Sequence, residues 1–368
     1  MNPLLKLADL GQSYWLDNLT RRMIENGELK NRVVKEGLRG ITSNPAIFSK
    51  AITQGQEYDA QIRQVTAAGG TIEAVYEALV VTDIRNACDI LRPVFDKTGG
   101  VDGFLSLEVS PHLARDTDGS VAEGRRLWQA VDRPNLLIKI PGTAEGVPAI
   151  EQLLFEGINV NVTLLFSIDS YQAVAEAHMR ALERRLAAGL PIDKVASVAS
   201  FFLSRIDVLV DGLLKALAAG SEPDPQALLG KAAIANAKLA YRQFKQNTAS
   251  GRWKTLAAKG GRVQRMLWAS TSTKNPDYSD VMYVDTLIGP DTVNTLPEET
   301  IAAFADHGTA ASTVEKGLDD AKTTMAAIAK LGIDFAKATR QLEEEGIQKF
   351  IDPYESLLEA LKRRCANL

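Results

Sequence analysis

The run Leu136-Leu137-Ile138-Lys139-Ile140-Pro141-Gly142-Thr143 sets one amine in the middle of an apolar stretch. A run of this kind, closed by Pro-Gly, predicts a buried strand that ends in a turn. A charged amine is rarely found in such a setting unless something uses it. Burial disfavours the ammonium form of a lysine, and a neutral amine attacks carbonyl carbons to give a Schiff base. The same octamer also fits a strand-end lysine that snorkels to solvent or pairs with a carboxylate.

Alternation along the neighbouring strands supplies company for that amine. In residues 103–110, Leu105, Leu107 and Val109 share one face, and Ser106, Glu108 and Ser110 the other. In residues 158–166, Val160, Val162 and Leu164 oppose Asn159, Asn161 and Thr163. Lys139 opposes the face of Leu136, Ile138 and Ile140, while Thr42 pairs in parity with Asn44, and Ser200 with Phe202. Successive side chains point to opposite faces of a strand, so each polar face turns away from the layer that packs on helices. Asp17, Asn44, Glu108, Lys139, Asn161, Thr163 and Ser200 then collect near the C-terminal ends of their strands. Taken singly, each reads as a turn residue, a helix cap or an ion-paired carboxylate. Their convergence on one mouth is what makes them a candidate site.

The elements that must hold these residues alternate between strand and helix. Strands are predicted at 13–18, 38–44, 103–110, 136–141, 158–166, 195–203, 262–271 and 291–296. Helices are predicted at 45–52, 56–67, 71–97, 120–132, 144–155, 168–188 and 204–219, with a further helix at 226–247. Strand–helix alternation repeated about eight times favours a (β/α)8 TIM barrel over an open doubly wound sheet. The expected organisation is one barrel domain over residues 1–368 with extra N-terminal, inserted and C-terminal helices. Residues 220–261, opened by Pro223 and Pro225, form the helical insertion between strands six and seven. Residues 312–368 form C-terminal helices packed on the barrel, with Pro353 as their one interruption. Barrel active sites lie at the C-terminal ends of the strands, and most barrel interiors are filled with apolar side chains. A polar mouth is therefore unusual for a purely structural barrel.

Composition narrows the classes of function. The chain has 368 residues, 45% hydrophobic and 24% charged, with 46 acidic against 42 basic side chains, which argues against a nucleic-acid surface spread over the molecule. The two cysteines, Cys88 and Cys365, match no metal spacing, and a reducing cytoplasm is the expected location. The first residues lack the basic and apolar regions of a secretory signal, and no apolar run reaches the length of a membrane span. His112, His178 and His307 have no neighbour at ligand spacing, so zinc chemistry and a serine–histidine triad are not expected. Neither Gly-x-Gly-x-x-Gly after a strand nor a Walker A stretch is present.

At Thr42-Ser43-Asn44-Pro45, Ser106-Leu107-Glu108-Val109-Ser110, Ile138-Lys139-Ile140-Pro141-Gly142-Thr143, Asn161-Val162-Thr163-Leu164-Leu165-Phe166 and Ser200-Phe201-Phe202-Leu203-Ser204-Arg205-Ile206, the chain resembles the transaldolases, class I aldolase-type barrels of the pentose phosphate pathway. The resemblance runs from Asp17 to about Lys274, and its strength lies in the order of the five motifs on successive strands. It implies that Lys139 forms the Schiff base with a donor ketose. Glu108 would be the general acid and base, working through a water held by Thr163. Asp17 would take the proton from the donor C4 hydroxyl and return it to the acceptor aldehyde oxygen. Asn44 and Asn161 would hold hydroxyls of the dihydroxyacetone unit, with Ser200 beside its C1 hydroxyl. Arg205 would bind the substrate phosphate through its guanidinium fork. The family's second arginine after the seventh strand is not present as such; Lys274 is the nearest cation, with Ser270 or Ser272 able to share the role.

Phe202 stands where shorter relatives that release free dihydroxyacetone place a tyrosine hydroxyl, which implies transfer rather than release. The resemblance thus points to phosphorylated sugars as substrates, with no metal, cofactor, nucleic acid or membrane partner. Assembly stays open between a monomer and a homodimer. A Schiff-base lyase that releases free dihydroxyacetone is the alternative activity.

Overall fold

A computed structural model describes residues 2–218 and 222–368 of the chain. Eight parallel strands close into a barrel in chain order: β1 (Gln12–Leu16), β2 (Gly40–Ile41), β3 (Phe104–Glu108), β4 (Leu136–Pro141), β5 (Val160–Leu165), β6 (Ser197–Phe202), β7 (Arg265–Ala269) and β8 (Thr292–Leu296). Each pairs with the next, and β8 closes on β1 with Thr295 opposite Trp15. β4 is buried along its whole length, Lys139 included, as a hexamer otherwise apolar with helices outside and a filled lumen inside must be.

The lumen is layered. Near its N-terminal end Arg265 bridges three strands, donating to Asp102 at 3.0 Å, to Ser13 Oγ at 2.7 Å and to the Thr292 carbonyl at 2.7 Å. Trp15 and Phe104, with ring centroids 6.5 Å apart, fill the layer above. Gly40 makes that layer possible, because a Cβ there would come within 2.4 Å of the Trp15 ring. The third layer is the polar mouth.

The second strand is shorter than the expected 38–44, and its early end has a local cause. Thr42 turns its hydroxyl to Asp17 and Thr295, Ser43 Oγ donates to the Ser106 carbonyl at 2.7 Å, and Asn44 caps the helix Pro45–Gln54 by accepting from the Ile47 amide at 3.1 Å. Side-chain bonds to the backbone here compete with the ladder. Proline at the first helical position then commits the chain to helix.

Between the helix Ser204–Lys215 and β7, the described residues form a 3-10 turn, Pro225–Leu228, and the helices Ala232–Ala249 and Gly251–Ala257. Position 219, expected to end the preceding helix, and positions 220 and 221, expected to open the insertion, fall outside the described residues. Asp207 and Asp211 tie this segment to the barrel by accepting from the amides of Ala233 and Gly230. After β8 comes a helix that the pattern did not reveal, Glu298–His307.

The C-terminal region corrects one expectation. Its interruption falls at residues 331–334, between the helices Leu318–Lys330 and Phe335–Asn367, and Pro353 lies inside the second helix. Gly332 adopts φ +82°, the left-handed conformation that ends a helix, and Asp334 caps the next by accepting from the Lys337 amide. Pro353 removes one intrahelical bond, yet the helix continues because Leu342, Ile347, Phe350, Leu357 and Leu361 are buried on either side of it. Packing of an apolar face outweighs local propensity here. That helix passes over the mouth, where Phe350 lines the cavity described next. Among the described residues, no helix is long and apolar enough to cross a membrane.

Candidate active site

At the C-terminal ends of the strands lies a cavity of about 220 Å³. Asp17, Asn44, Lys139, Thr163, Ser200, Phe202, Arg205 and Lys274 all line it. Glu108 and Asn161 do not; both sit just behind its wall. Lys139 is central because β3, β4 and β5 pair in register with Glu108 opposite Lys139 and Lys139 opposite Asn161.

Lys139 Nζ donates to the Ser43 carbonyl at 3.2 Å and stands 3.7 Å from Glu108 Oε2. That second separation is an ion pair rather than a hydrogen bond, so both carboxylate oxygens of Glu108 are buried without a hydrogen-bond partner. The two side chains are each 6% exposed. Burial pushes Glu108 up to about 7; Lys139 opposes the rise and Asp17 adds to it. A carboxyl so placed is available as an acid and as a base at neutral pH. Thr163 Oγ1, one strand further, is also buried without a partner. The Phe350 ring centroid lies 5.3 Å from Lys139 Nζ and closes the amine from above.

Asp17 follows the last residue of β1. Thr42 Oγ1 donates to Asp17 Oδ1 at 2.7 Å and lies 2.6 Å from Thr295 Oγ1, so the carboxylate is held from the side by the Thr42 hydroxyl just after β2, itself braced by Thr295 of β8. Burial raises the Asp17 pKa and nearby Glu299 adds to this, while Thr42 and Lys139 oppose it. Removing the hydroxyl should therefore leave Asp17 harder to ionise and free to turn. For Thr42→Val we expect kcat to fall by about 10- to 100-fold, one charge-assisted hydrogen bond being worth about 1.5–3 kcal/mol. The acidic limb of the rate profile should also move to higher pH. An unchanged profile would remove Thr42 from this role.

Asn161 is fully buried beneath the floor, donating to Ser106 Oγ at 2.9 Å and accepting from Ser200 Oγ at 2.6 Å. Its amide thus orients Ser200, which does reach the cavity. Asn44 faces the cavity with its carbonyl already engaged in capping, which leaves its NH₂ group to serve a ligand.

At the other end Arg205 opens the helix Ser204–Lys215. Its guanidinium lies 5.5 Å from the centroid of Phe202, whose ring packs on Phe166. One terminal nitrogen of Arg205 is buried without a partner, and burial lowers the guanidinium pKa against the opposing pull of Glu345. A dianion here would meet a cation, a free donor and the amide end of a helix together. Lys274 is exposed on the loop after β7 and donates to Ser272 Oγ at 2.6 Å. Ser270, at φ +56°, and Ser204 exchange a hydroxyl bond of 2.8 Å on the same rim.

Thr295, Phe350, Glu299 and Ser106 complete the site and had no assigned part in the sequence. Ser106 carried a signal, since it shares the parity of Glu108 two residues on. Thr295 belongs to the strand with the weakest pattern. Phe350 reaches the mouth only through the packing of a terminal helix, which no local spacing encodes.

A closed parallel barrel whose mouth sets a buried amine beside carboxylates, with a cationic rim, has the form of a (β/α)8-barrel enzyme. Comparison with known proteins narrows this further. The family described as Transaldolase/Fructose-6-phosphate aldolase matches residues 14–361, and the chain belongs to it. It is 51% identical over 374 residues to the transaldolase of Trichodesmium erythraeum, an alignment covering 100% of this chain and 98% of the relative. Identity to transaldolase 2 of Nostoc punctiforme is 51% over 369 residues, covering 98% and 97% of the two chains. The transaldolase of Thiobacillus denitrificans is 46% identical over 358 residues, covering 97% and 99%. The chain is accordingly an enzyme of the transferase class.

Proposed function

We propose that the chain transfers a dihydroxyacetone unit through a Schiff base on Lys139, converting sedoheptulose 7-phosphate and glyceraldehyde 3-phosphate into erythrose 4-phosphate and fructose 6-phosphate. The observation that carries this is the buried Lys139–Glu108 pair at 3.7 Å, with the carboxyl held near 7: Lys139 lines a cavity that also has Asp17 and Arg205 in its lining, and Glu108 stands just behind it. Lys139 passes its ammonium proton to Glu108 and the freed amine attacks the donor C2; a proton then moves from the nitrogen to the carbinolamine oxygen by way of Glu108. Glu108 then protonates that hydroxyl, which leaves as water. The iminium drains electrons from C3. Asp17 takes the C4 hydroxyl proton, the C3–C4 bond breaks, and the aldose phosphate departs while the three-carbon fragment stays as an enamine. An acceptor aldehyde is attacked by C3 and receives the Asp17 proton on its oxygen. Hydrolysis reverses the first stage, with Glu108 as the base that activates water.

Asn44 and Ser200, the latter oriented by Asn161, would hold hydroxyls of the three-carbon unit. Thr163 would share with Glu108 the water that enters and leaves. The phosphate would rest on Arg205, with Lys274 and the hydroxyls of Ser270 or Ser272 on the far side. On this basis the enzyme serves the pentose phosphate pathway in the cytoplasm without metal or cofactor, acting on phosphorylated sugars.

Arg205→Ala should raise KM for fructose 6-phosphate by about 10- to 100-fold, as expected for a lost charge-assisted bond, and leave the response to free dihydroxyacetone nearly unchanged. Equal effects on both would remove Arg205 from the phosphate site. Phe202 favours transfer over release, because its ring presents no hydroxyl to protonate the enamine through water. Phe202→Tyr should accordingly raise the fraction of turnovers that release free dihydroxyacetone, read in a coupled assay. The parent enzyme given fructose 6-phosphate should form sedoheptulose 7-phosphate only when erythrose 4-phosphate is supplied, with little free dihydroxyacetone. Release of dihydroxyacetone in step with glyceraldehyde 3-phosphate, whatever the acceptor, would make it a lyase instead.

A further inference from the structure

Glu108 lies at the boundary between two cavities. Behind it is a second one of about 160 Å³, bounded by the helices Pro45–Gln54, Ile72–Lys97, Thr117–Val131 and Phe335–Asn367. Glu108 lines this cavity, whereas Lys139, Asp17 and Arg205 line the mouth; Asn44 is the one residue common to both linings. The outer rim carries exposed Glu73 and the half-exposed Arg126, which pairs with Glu77 at 2.5 Å and Glu123 at 2.9 Å. The same lining carries Tyr76 and Tyr354, edge to face with centroids 5.4 Å apart, and the apolar side chains of Val81 and Leu127. The cavity thus joins the surface to Glu108 without passing the amine.

Taking Glu108 as the acid–base group, as proposed above, we propose that this second cavity is a water port to Glu108, separate from the mouth through which the sugar enters. Three features support it. Both oxygens of Glu108 are buried without a hydrogen-bond partner, and the side chain is only 6% exposed; buried polar atoms of this kind are ordinarily satisfied by water. Stoichiometry requires a route, since each Schiff base formed expels one water and each hydrolysis consumes one. Both events occur while the ketose fills the mouth under Phe350. Charge sorts the traffic: Glu73, Glu77 and Glu123 outnumber Arg126 along the port and repel a sugar phosphate, whereas Arg205 and Lys274 attract it to the mouth. The port is partly apolar and anionic, which suits water and disfavours the sugar phosphate.

Plugging the port should trap the expelled water beside the iminium and favour its return to the same carbon. The test uses fructose 6-phosphate labelled with heavy oxygen at C2 and follows label loss alongside exchange of labelled glyceraldehyde 3-phosphate into the ketose, with a blank lacking enzyme. Parent enzyme should lose the label in nearly every cleavage and return. Val81→Phe, and the milder Val81→Leu in case the larger ring disturbs folding, should lower label loss per exchange severalfold with KM for fructose 6-phosphate unchanged. Label loss per exchange equal to that of the parent in a folded Val81 variant would overturn the port. Glu108→Gln separates the two claims. If it retains parent activity, the assignment of Glu108 itself fails. If it is impaired while the folded Val81 variants exchange label as the parent does, only the port fails.

Discussion

Lys139→Met is expected to lower turnover by about 10⁴-fold or more, the scale on which an enzyme loses rate when its nucleophile is removed. The loss should be in kcat, because the hydroxyl and phosphate contacts proposed for Asn44, Ser200 and Arg205 remain. Lys139→Arg should do no better: a guanidinium keeps its charge and cannot act as an amine nucleophile. Folding should survive the methionine, which keeps an unbranched chain in a position only 5% exposed. Glu108, losing the ammonium that opposes its desolvation and keeping Asp17 beside it, should hold its proton more firmly. Circular dichroism would check that the variant folds, and a single-turnover assay the loss in kcat. Full activity in either variant would end the Schiff-base proposal.

Glu108→Gln should lower kcat by about 10²- to 10⁴-fold, the usual scale of general acid–base catalysis, and remove the inflection near pH 7 expected of the parent enzyme. The same substitution makes a signed prediction for stability. Burial lifts this carboxyl from its ordinary 4.5 to about 7, so folding favours the protonated form. The favourable contribution is fully present below the ordinary value and disappears as pH rises through about 7. An amide has no proton to lose in that window. The melting temperature of Glu108→Gln should therefore gain on that of the parent between those two pH values and level off above them. A difference independent of pH would mean that Glu108 titrates as an exposed carboxylate does.

How far the sequence anticipated the site depended on which contacts are local. Lys139 and Glu108 were legible because strand periodicity is two residues and the residues directly flanking them, Ile138 and Ile140 or Leu107 and Val109, are apolar, so the face of each side chain followed from parity alone. The closed barrel followed from strand–helix alternation, and family membership from the ordered motifs. Parity, however, assigns a face and not a height. Asn161 shares the face of Thr163, but its position two residues earlier in β5 puts it under the floor, where Ser106 and Ser200 occupy its amide. Asn44 had both a strand pattern and a helix-start signal in Pro45, and the cap prevailed. Pro353 was read as a break because it lacks an amide hydrogen, yet the apolar face around it holds the helix together and Gly332 makes the break instead. Phe350 and Thr295 were invisible for a different reason. Their partners, Lys139 and Thr42, are distant in sequence, and only tertiary packing brings them to the mouth.

The most direct measurement is borohydride reduction of the enzyme incubated with fructose 6-phosphate, followed by intact mass and peptide mapping. A reduced three-carbon adduct confined to the peptide that carries Lys139 is the predicted result, and it reports the nucleophile, the covalent step and the transferred unit together. A folded enzyme that turns over fructose 6-phosphate but yields no adduct, or carries it on another lysine, would contradict the assignment of Lys139.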